Sequence, residues 1–283
     1  MDGLVLEGGA MRGMFTAGVI DVMMEAGIRY DGAIGVSAGA AFGCNYKSGQ
    51  IGRVIRYNTA FCRDRRYCGL RSLLLTGSLY SPQFCYHTVP NEYDIFDGEA
   101  YEKDPMAFYV VTTDLESGEP VYRRCDKAGD EFFEWIRASS SLPLVSRPVV
   151  IDGRPMLDGG MSDSVPIRYF EQIGYEKNVV ILTRPQGYRK EPTGHRHLLR
   201  HTLRKYPKAY AAMERRHEVY NETLDYIAAR EAAGATLVIR PREALAVGSM
   251  ERDPDKLRAV YEVGRAMGEE RLADVKQFLE GIG

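Results

Sequence analysis

The chain has 283 residues, 45% of them hydrophobic, and a formal net charge of −2. That length and apolar content suit one α/β body with an appendage and an ordinary buried interior, while the near balance of charge argues against general affinity for nucleic acid. No stretch reaches the roughly 18 apolar residues of a membrane span, the acidic start with Asp2 and Glu7 lacks a secretory-signal pattern, and five scattered cysteines without metal-type spacing predict reduced thiols in a cytoplasm.

Leu4-Val5-Leu6 reads as a strand, and the apolar segment Met14 to Ala26 as a helix capped by Gly27. Between them stands Glu7-Gly8-Gly9-Ala10-Met11-Arg12-Gly13. A glycine-rich turn of this kind leaves backbone N–H groups unpaired and aimed at one point, with the helix dipole behind them. Such a nest suits a phosphate or the transient oxyanion of acyl transfer. No Gly-Lys-Ser/Thr follows, and no acidic ribose ligand comes at the expected distance, so the nucleotide reading is weak. The oxyanion reading also explains the next element.

Asp31 to Gly35 reads as a short strand and Ala38 to Tyr46 as a helix of small residues, with Gly35-Val36-Ser37-Ala38-Gly39 at their junction. Gly-x-Ser-x-Gly between strand and helix is a nucleophile elbow, a sharp turn that pushes one serine hydroxyl out over the sheet. Its two glycines are needed because a Cβ at either place would collide with the neighbouring strand or helix.

Ile51 to Phe61 predicts a helix, and the basic connector Arg63 to Arg71 a solvated face, with steering of anionic substrates or lipid head groups as the alternative. Ala107 to Thr113 is strand-like and pairs as a hairpin with Pro120 to Arg124; Phe132 to Ser141 predicts a helix in which Ser139, Ser140 and Ser141 are small packing residues. A second hairpin joins Arg147–Ile151 to Arg154–Leu157 through the turn Asp152-Gly153. Asp158 ends this apolar strand, ahead of Gly159-Gly160, where a carboxylate needs a partner; an Asx-type turn is the alternative role.

Pro166 to Ile173 reads as a helix, Val179 to Thr183 as a buried strand, and Arg184 to Gly194 as a linker. The long helix Pro207 to Ala233 covers a core or lines an acyl groove, Thr236 to Arg240 follows, and Asp255 to Phe278 predicts a last helix docked on the body. His197 and His201 share a helical face near His195, but no carboxylate or cysteine completes a set of ligands, so no metal is expected.

The ordered triple Gly8-Gly9-Ala10-Met11-Arg12-Gly13, Gly35-Val36-Ser37-Ala38-Gly39 and Asp158-Gly159-Gly160 resembles the patatin-like phospholipase family. The resemblance implies a three-layer α/β sandwich with a mainly parallel central sheet and a helical C-terminal extension. It divides the chain into a catalytic domain over 1–185 and a mostly helical extension over 186–283 packed on it. It makes Ser37 the nucleophile and Asp158 its general base in a dyad without histidine, with the amides around Gly9 and Ala10 as oxyanion hole. No cofactor is implied. The implied activity is serine-dependent hydrolysis of lipid acyl esters of the phospholipase A, lysophospholipase or carboxylesterase type, with a lipid or other acyl ester as partner, passing contact with a membrane surface, and an open oligomeric state.

The family commonly has three consecutive glycines where this chain has Ala10 third. Alanine is harmless there if φ is negative, which is the expectation, and costly if φ is positive. Arg12 matches the family's basic position, either fixing the loop or meeting an anionic head group. Three alternatives stay open: a triad using one of the late histidines, an acyltransferase or thioesterase with the same acyl-enzyme, and a non-catalytic lipid-binding protein.

Overall fold

Strands apolar on both faces belong inside a parallel sheet covered by helices, and this chain builds one. The structure, a computed structural model, describes residues 1–281. Strand β1 (Asp2–Leu6) leads through a 3₁₀ turn at Ala10–Arg12 into α1 (Gly13–Glu25); β2 (Gly32–Val36) leads through Ser37 into α2 (Ala38–Lys47). Then come α3 (Arg53–Phe61), α4 (Leu70–Thr76), a π-helical stretch at Phe84–Tyr93 and α5 (Gly98–Lys103). The middle of the chain gives β3 (Ala107–Asp114), β4 (Pro120–Arg124), α6 (Asp130–Ser139), β5 (Val149–Ile151) and β6 (Arg154–Asp158). The remainder is α7 (Ile167–Gln172), β7 (Lys177–Ile181), α8 (Arg196–Thr202), α9 (Pro207–Ala232), β8 (Thr236–Ile239) and α10 (Pro254–Glu280).

One eight-stranded sheet has the order β5-β6-β3-β2-β1-β7-β8, with β4 also on β3. The pairs among β3, β2, β1, β7 and β8 are parallel, and those of β4, β5 and β6 antiparallel. Leu4 and Leu6 face a core shared with α1, α2, α6 and α10, while Val5, Ile34 and Val36 face one shared with α7 and α9. These are the three layers that the family resemblance implies. Residues beyond 185 complete them, since β8 pairs with β7 and α10 lies on α1. The last contact is backbone to backbone: a Cβ on Gly18 would stand 2.2 Å from the carbonyl oxygen of Tyr261, and one on Gly264 2.1 Å from that of Phe15.

The register around β3 brings distant segments together. Residues Tyr109–Thr113 of β3 pair with β4 along one edge. Its other edge is shared: β2 occupies it up to Val36↔Val111, and β6 arrives from the opposite direction with Asp158↔Thr112. Strands β2 and β6 therefore meet end to end, and the residue after Val36 is Ser37. The Asp152-Gly153 turn that aims β6 has φ of 51° and 76° at its two positions, the geometry of a tight hairpin whose twist matches its strands.

Candidate active site

Ser37 sits where β2 hands over to α2, with φ 55° and ψ −122°. This backbone conformation costs a non-glycine residue about 1–3 kcal/mol and persists only where its surroundings enforce it. The enforcing contacts are close. A Cβ on Gly35 would lie 2.5 Å from the Gly39 carbonyl oxygen, and one on Gly39 would lie 2.4 Å from that of Leu6. The Ser37 amide donates to Ser139 Oγ at 2.8 Å, and that hydroxyl donates to the Val111 carbonyl at 2.6 Å. Ser139 thus ties the elbow to β3.

Asp158 is buried at the end of β6. Its Oδ1 accepts the Gly160 amide at 2.7 Å, and its own amide donates to the Ser141 carbonyl at 2.9 Å. Its Oδ2 is buried with no partner at hydrogen-bond geometry. The nearby Ser37 hydroxyl still lowers the carboxyl's pKa, as do Arg216, the Gly160 amide and Lys190, but burial outweighs them and raises it above the usual 3.8. A buried carboxylate with one free lone-pair site beside the Ser37 hydroxyl is arranged to accept a proton. Gly159 leaves this turn flush against β3, where a Cβ would meet the Val111 oxygen at 2.3 Å.

The first loop lies against both. Gly8 donates its amide to Ser164 O at 3.4 Å, and Gly13 fits against Phe42 and Ala38 of α2. Among the described residues the amides of Gly9, Ala10 and Met11 have no hydrogen-bond acceptor, and neither has that of Ala38 after the elbow. Ala10 has φ 48°. The expectation of a negative φ at this position is therefore corrected: the turn into the 3₁₀ segment requires the left-handed region even though the residue is alanine, at a cost of about 1–2 kcal/mol. Met11 points into the interior and Arg12 is half-buried. Burial first, then Arg184, pulls the Arg12 guanidinium below its usual range, against the attraction of Glu7.

Glu7 was not singled out from sequence, although an acidic residue closing an apolar strand is the same signal that marks Asp158. Its buried carboxylate accepts the Thr183 hydroxyl at 3.0 Å and Tyr220 OH at 2.6 Å, and also the Thr183 amide. It anchors the loop to the end of β7 and to α9. Ser139 and Ser141, read from sequence as packing residues, are buried as such residues would be and also hold the backbones of Ser37 and Asp158, Ser139 through its hydroxyl and Ser141 through its carbonyl.

A cavity of about 380 Å³ opens over Ser37 and Ala10. Its walls are largely apolar, with Phe42, Tyr57, Tyr86, Val89, Phe133 and Leu144 among them. Leu144 adds a third left-handed non-glycine residue to this region, with φ 77°. Helix α9 covers the core as expected, with Tyr220 and Ile227 buried, and its Met213 also lines the cavity. His195 stands on the cavity wall, but no hydrogen bond joins it to Ser37 among the described residues; His197 and His201 are exposed on α8.

Comparison with known proteins places this architecture. The sequence profile of the patatin-like phospholipases matches residues 4–171, and that of a domain of unknown function, DUF6363, matches residues 206–280. The uncharacterized protein YjjU of Escherichia coli (strain K12) is 29% identical over 98% of the chain and 78% of its own length. A lysophospholipase nte1 of Aspergillus fumigatus is 28% identical over 61% of the chain, and a lysophospholipase NTE1 of Coccidioides immitis 26% identical over 97%. The chain spans only 11% and 18% of those two proteins. Among solved structures, VipD of Legionella pneumophila aligns with a TM-score of 0.48 and 12% identity, covering 96% of this chain and 67% of that one.

Proposed function

Because the chain belongs to the patatin-like phospholipase family, we propose that it is a serine-dependent lipid acyl hydrolase working through a Ser37–Asp158 dyad. The observation that carries this reading is the shared edge of β3, where β2 delivers Ser37 and β6 delivers Asp158 to one point beneath an apolar cavity. Asp158 Oδ2 takes the Ser37 proton as Oγ attacks the ester carbonyl. The amides of Gly9, Ala10 and Ala38 hold the oxyanion. Collapse expels the alcohol, which regains the proton from Asp158, and leaves the acyl group on Ser37. Water then attacks the acyl-enzyme, gives its proton to Asp158 and releases the fatty acid as Ser37 recovers its hydrogen. The names of the lysophospholipase relatives and the cavity walls both support a long-chain acyl substrate.

Product analysis tests this reading. Lysophospholipid incubated with the protein yields free fatty acid and the glycerophospho-alcohol, and added glycerol leaves the fatty acid as main product. An acyl-glycerol product instead assigns the protein to the transferases, and no product at all overturns the reading.

The loop geometry gives a graded expectation. Ala10→Gly removes the left-handed strain and keeps turnover at or above that of the parent. Ala10→Val cannot hold φ near 48° because a β-branched residue is a true outlier there; it misplaces an oxyanion donor and lowers kcat by about 10²-fold. Equal kcat for the two variants would remove Ala10 from the hole.

We further propose that α4 rests on membranes bearing anionic lipid. Leu70, Leu74 and Leu75 are 74%, 84% and 72% exposed, among the exposed basic side chains Arg65 and Arg71. Such a face matches the apolar and charged parts of an anionic interface. Sequence reading took the basic run but missed the leucines. Joint replacement of Leu74 and Leu75 by serine is expected to weaken binding to phosphatidylglycerol-containing vesicles at least about tenfold in a flotation assay. Undiminished binding contradicts the docking.

A further inference from the structure

Four cations lie within reach of one another near the site, and two of them, Arg216 and Lys190, also act on Asp158. Arg12, Arg184, Lys190 and Arg216 make no salt bridge among the described residues, and the Nε atoms of Arg12 and Arg216 are buried without acceptors. Two tyrosines organise the group. Lys190 Nζ lies 4.3 Å from the centre of the Tyr220 ring, Arg184 4.4 Å from that of Tyr188, and the two rings are 6.1 Å apart. The Tyr220 hydroxyl donates to Glu7. Lys190 is fixed from behind, its amide donating to Asn221 Oδ1 at 2.8 Å and its carbonyl accepting from Asn221 Nδ2 at 3.0 Å. Arg216 Nη2 comes within 3.3 Å of where a side chain on Gly160 would begin, next to the turn that holds Asp158.

Glu7 attracts Arg12 and Lys190, and Asp158 attracts Arg216 and Lys190, yet no carboxylate stands at salt-bridge distance from any of the four among the described residues. Half-buried like charges repel and lose hydration, so an anion that completes such a cluster is favoured. Lys190 shows that tension: burial first, then Arg216, pulls its pKa down to about 7.

We infer that Arg184, Lys190 and Arg216, with Arg12, form a phosphate subsite that receives the head-group phosphate of a lysophospholipid while its acyl chain occupies the apolar cavity. The inference rests on the hydrolase reading and names the substrate class of that same site. Guanidinium and ammonium donors suit phosphate oxygens. Only the glycerol backbone separates that phosphate from the ester; Arg216 Nη2 lies beside the Gly160 turn that holds Asp158, and the four cations stand outside the apolar lining of the cavity. Arg184 and Lys190 come from the segment after β7, and Arg216 from α9, so the C-terminal part of the chain supplies three of the four cations.

Two measurements test the subsite. In the first, the Ser37→Ala protein is titrated by calorimetry with a lysophospholipid and with the monoacylglycerol of the same acyl chain. The lysophospholipid is expected to bind more tightly, and adding Lys190→Gln or Arg184→Gln to narrow the difference about tenfold or more, the weight of a charge-assisted hydrogen bond. Lys190→Arg should retain most of it. In the second, the ratio of kcat/KM for the same two substrates falls by a similar factor in Lys190→Gln. Equal affinity for the two lipids, or a preference untouched by both glutamine variants, overturns the subsite. Binding of inorganic phosphate without any lipid preference assigns the cluster to the free anion and overturns the head-group assignment. The calorimetric arm needs no turnover, so an inactive wild type sinks the hydrolase reading alone, and absent head-group preference sinks this one alone.

Discussion

Ser37→Ala is expected to lower kcat for lysophospholipid by about 10⁴-fold or more, the scale on which loss of a nucleophile acts in serine hydrolases. The fold should not notice. What holds the elbow is backbone: the Ser37 amide on Ser139 Oγ, the Ser37 carbonyl accepting from Ala40 and Ala41, and the close fit of Gly35 and Gly39. None of these uses the Ser37 hydroxyl, so the variant should melt within about 2 °C of the parent. Loss of activity with a large fall in Tm would point to collapse of the elbow and would not identify a nucleophile.

Asp158→Asn is expected to cost about 10³- to 10⁴-fold in kcat, by analogy with removal of the acidic member of a serine hydrolase triad, and to make the protein more stable. Asparagine keeps an oxygen for the Gly160 amide but cannot accept the serine proton. The stability gain follows from linkage. Burial raises the carboxyl's pKa above its unfolded value near 3.8, so between the two values the native state binds more protons than the unfolded state. Stability therefore falls as pH rises through that window and stays low above it. The neutral amide escapes this loss. Near neutral pH its Tm should exceed the parent's, and the gain should vanish below the unfolded carboxyl pKa. The same raised pKa orders the activity profile: kcat/KM of the parent rises with pH as Asp158 loses its proton, and the residual rate of Asp158→Asn lacks that limb. A parent profile flat through the acid range would argue against Asp158 as base.

Local chemistry made the three motifs legible in the sequence, and the family they resemble implied the fold class. A strand, a glycine-bounded serine and a small-residue helix can be recognised within a dozen residues, and the Asp-Gly turn fixes the hairpin that aims Asp158. Element ends moved by a residue or a few, as frayed termini do. The features that escaped depend on contacts far along the chain. Ala10 takes a positive φ because the loop is held between Thr183 and the elbow, with Gly9 fitted against Thr183 and Gly8 against Val36 and Ser37; no pattern within the loop specifies that. Ser139 and Ser141 look like filler until α6 is laid beside β2 and β6. The π-helical stretch Phe84–Tyr93 contains Pro90, which argues locally against any helix. The cation cluster combines positions 12, 184, 190 and 216, each an ordinary charged residue in its own segment.

The most direct measurement is active-site labelling with a fluorophosphonate, followed by mass spectrometry of the modified peptide. The dyad predicts one adduct per chain, on Ser37, absent from Ser37→Ala and formed at least about 10³-fold more slowly by Asp158→Asn. An adduct on another residue, or Ser37 labelling at the parent rate in Asp158→Asn, would contradict it.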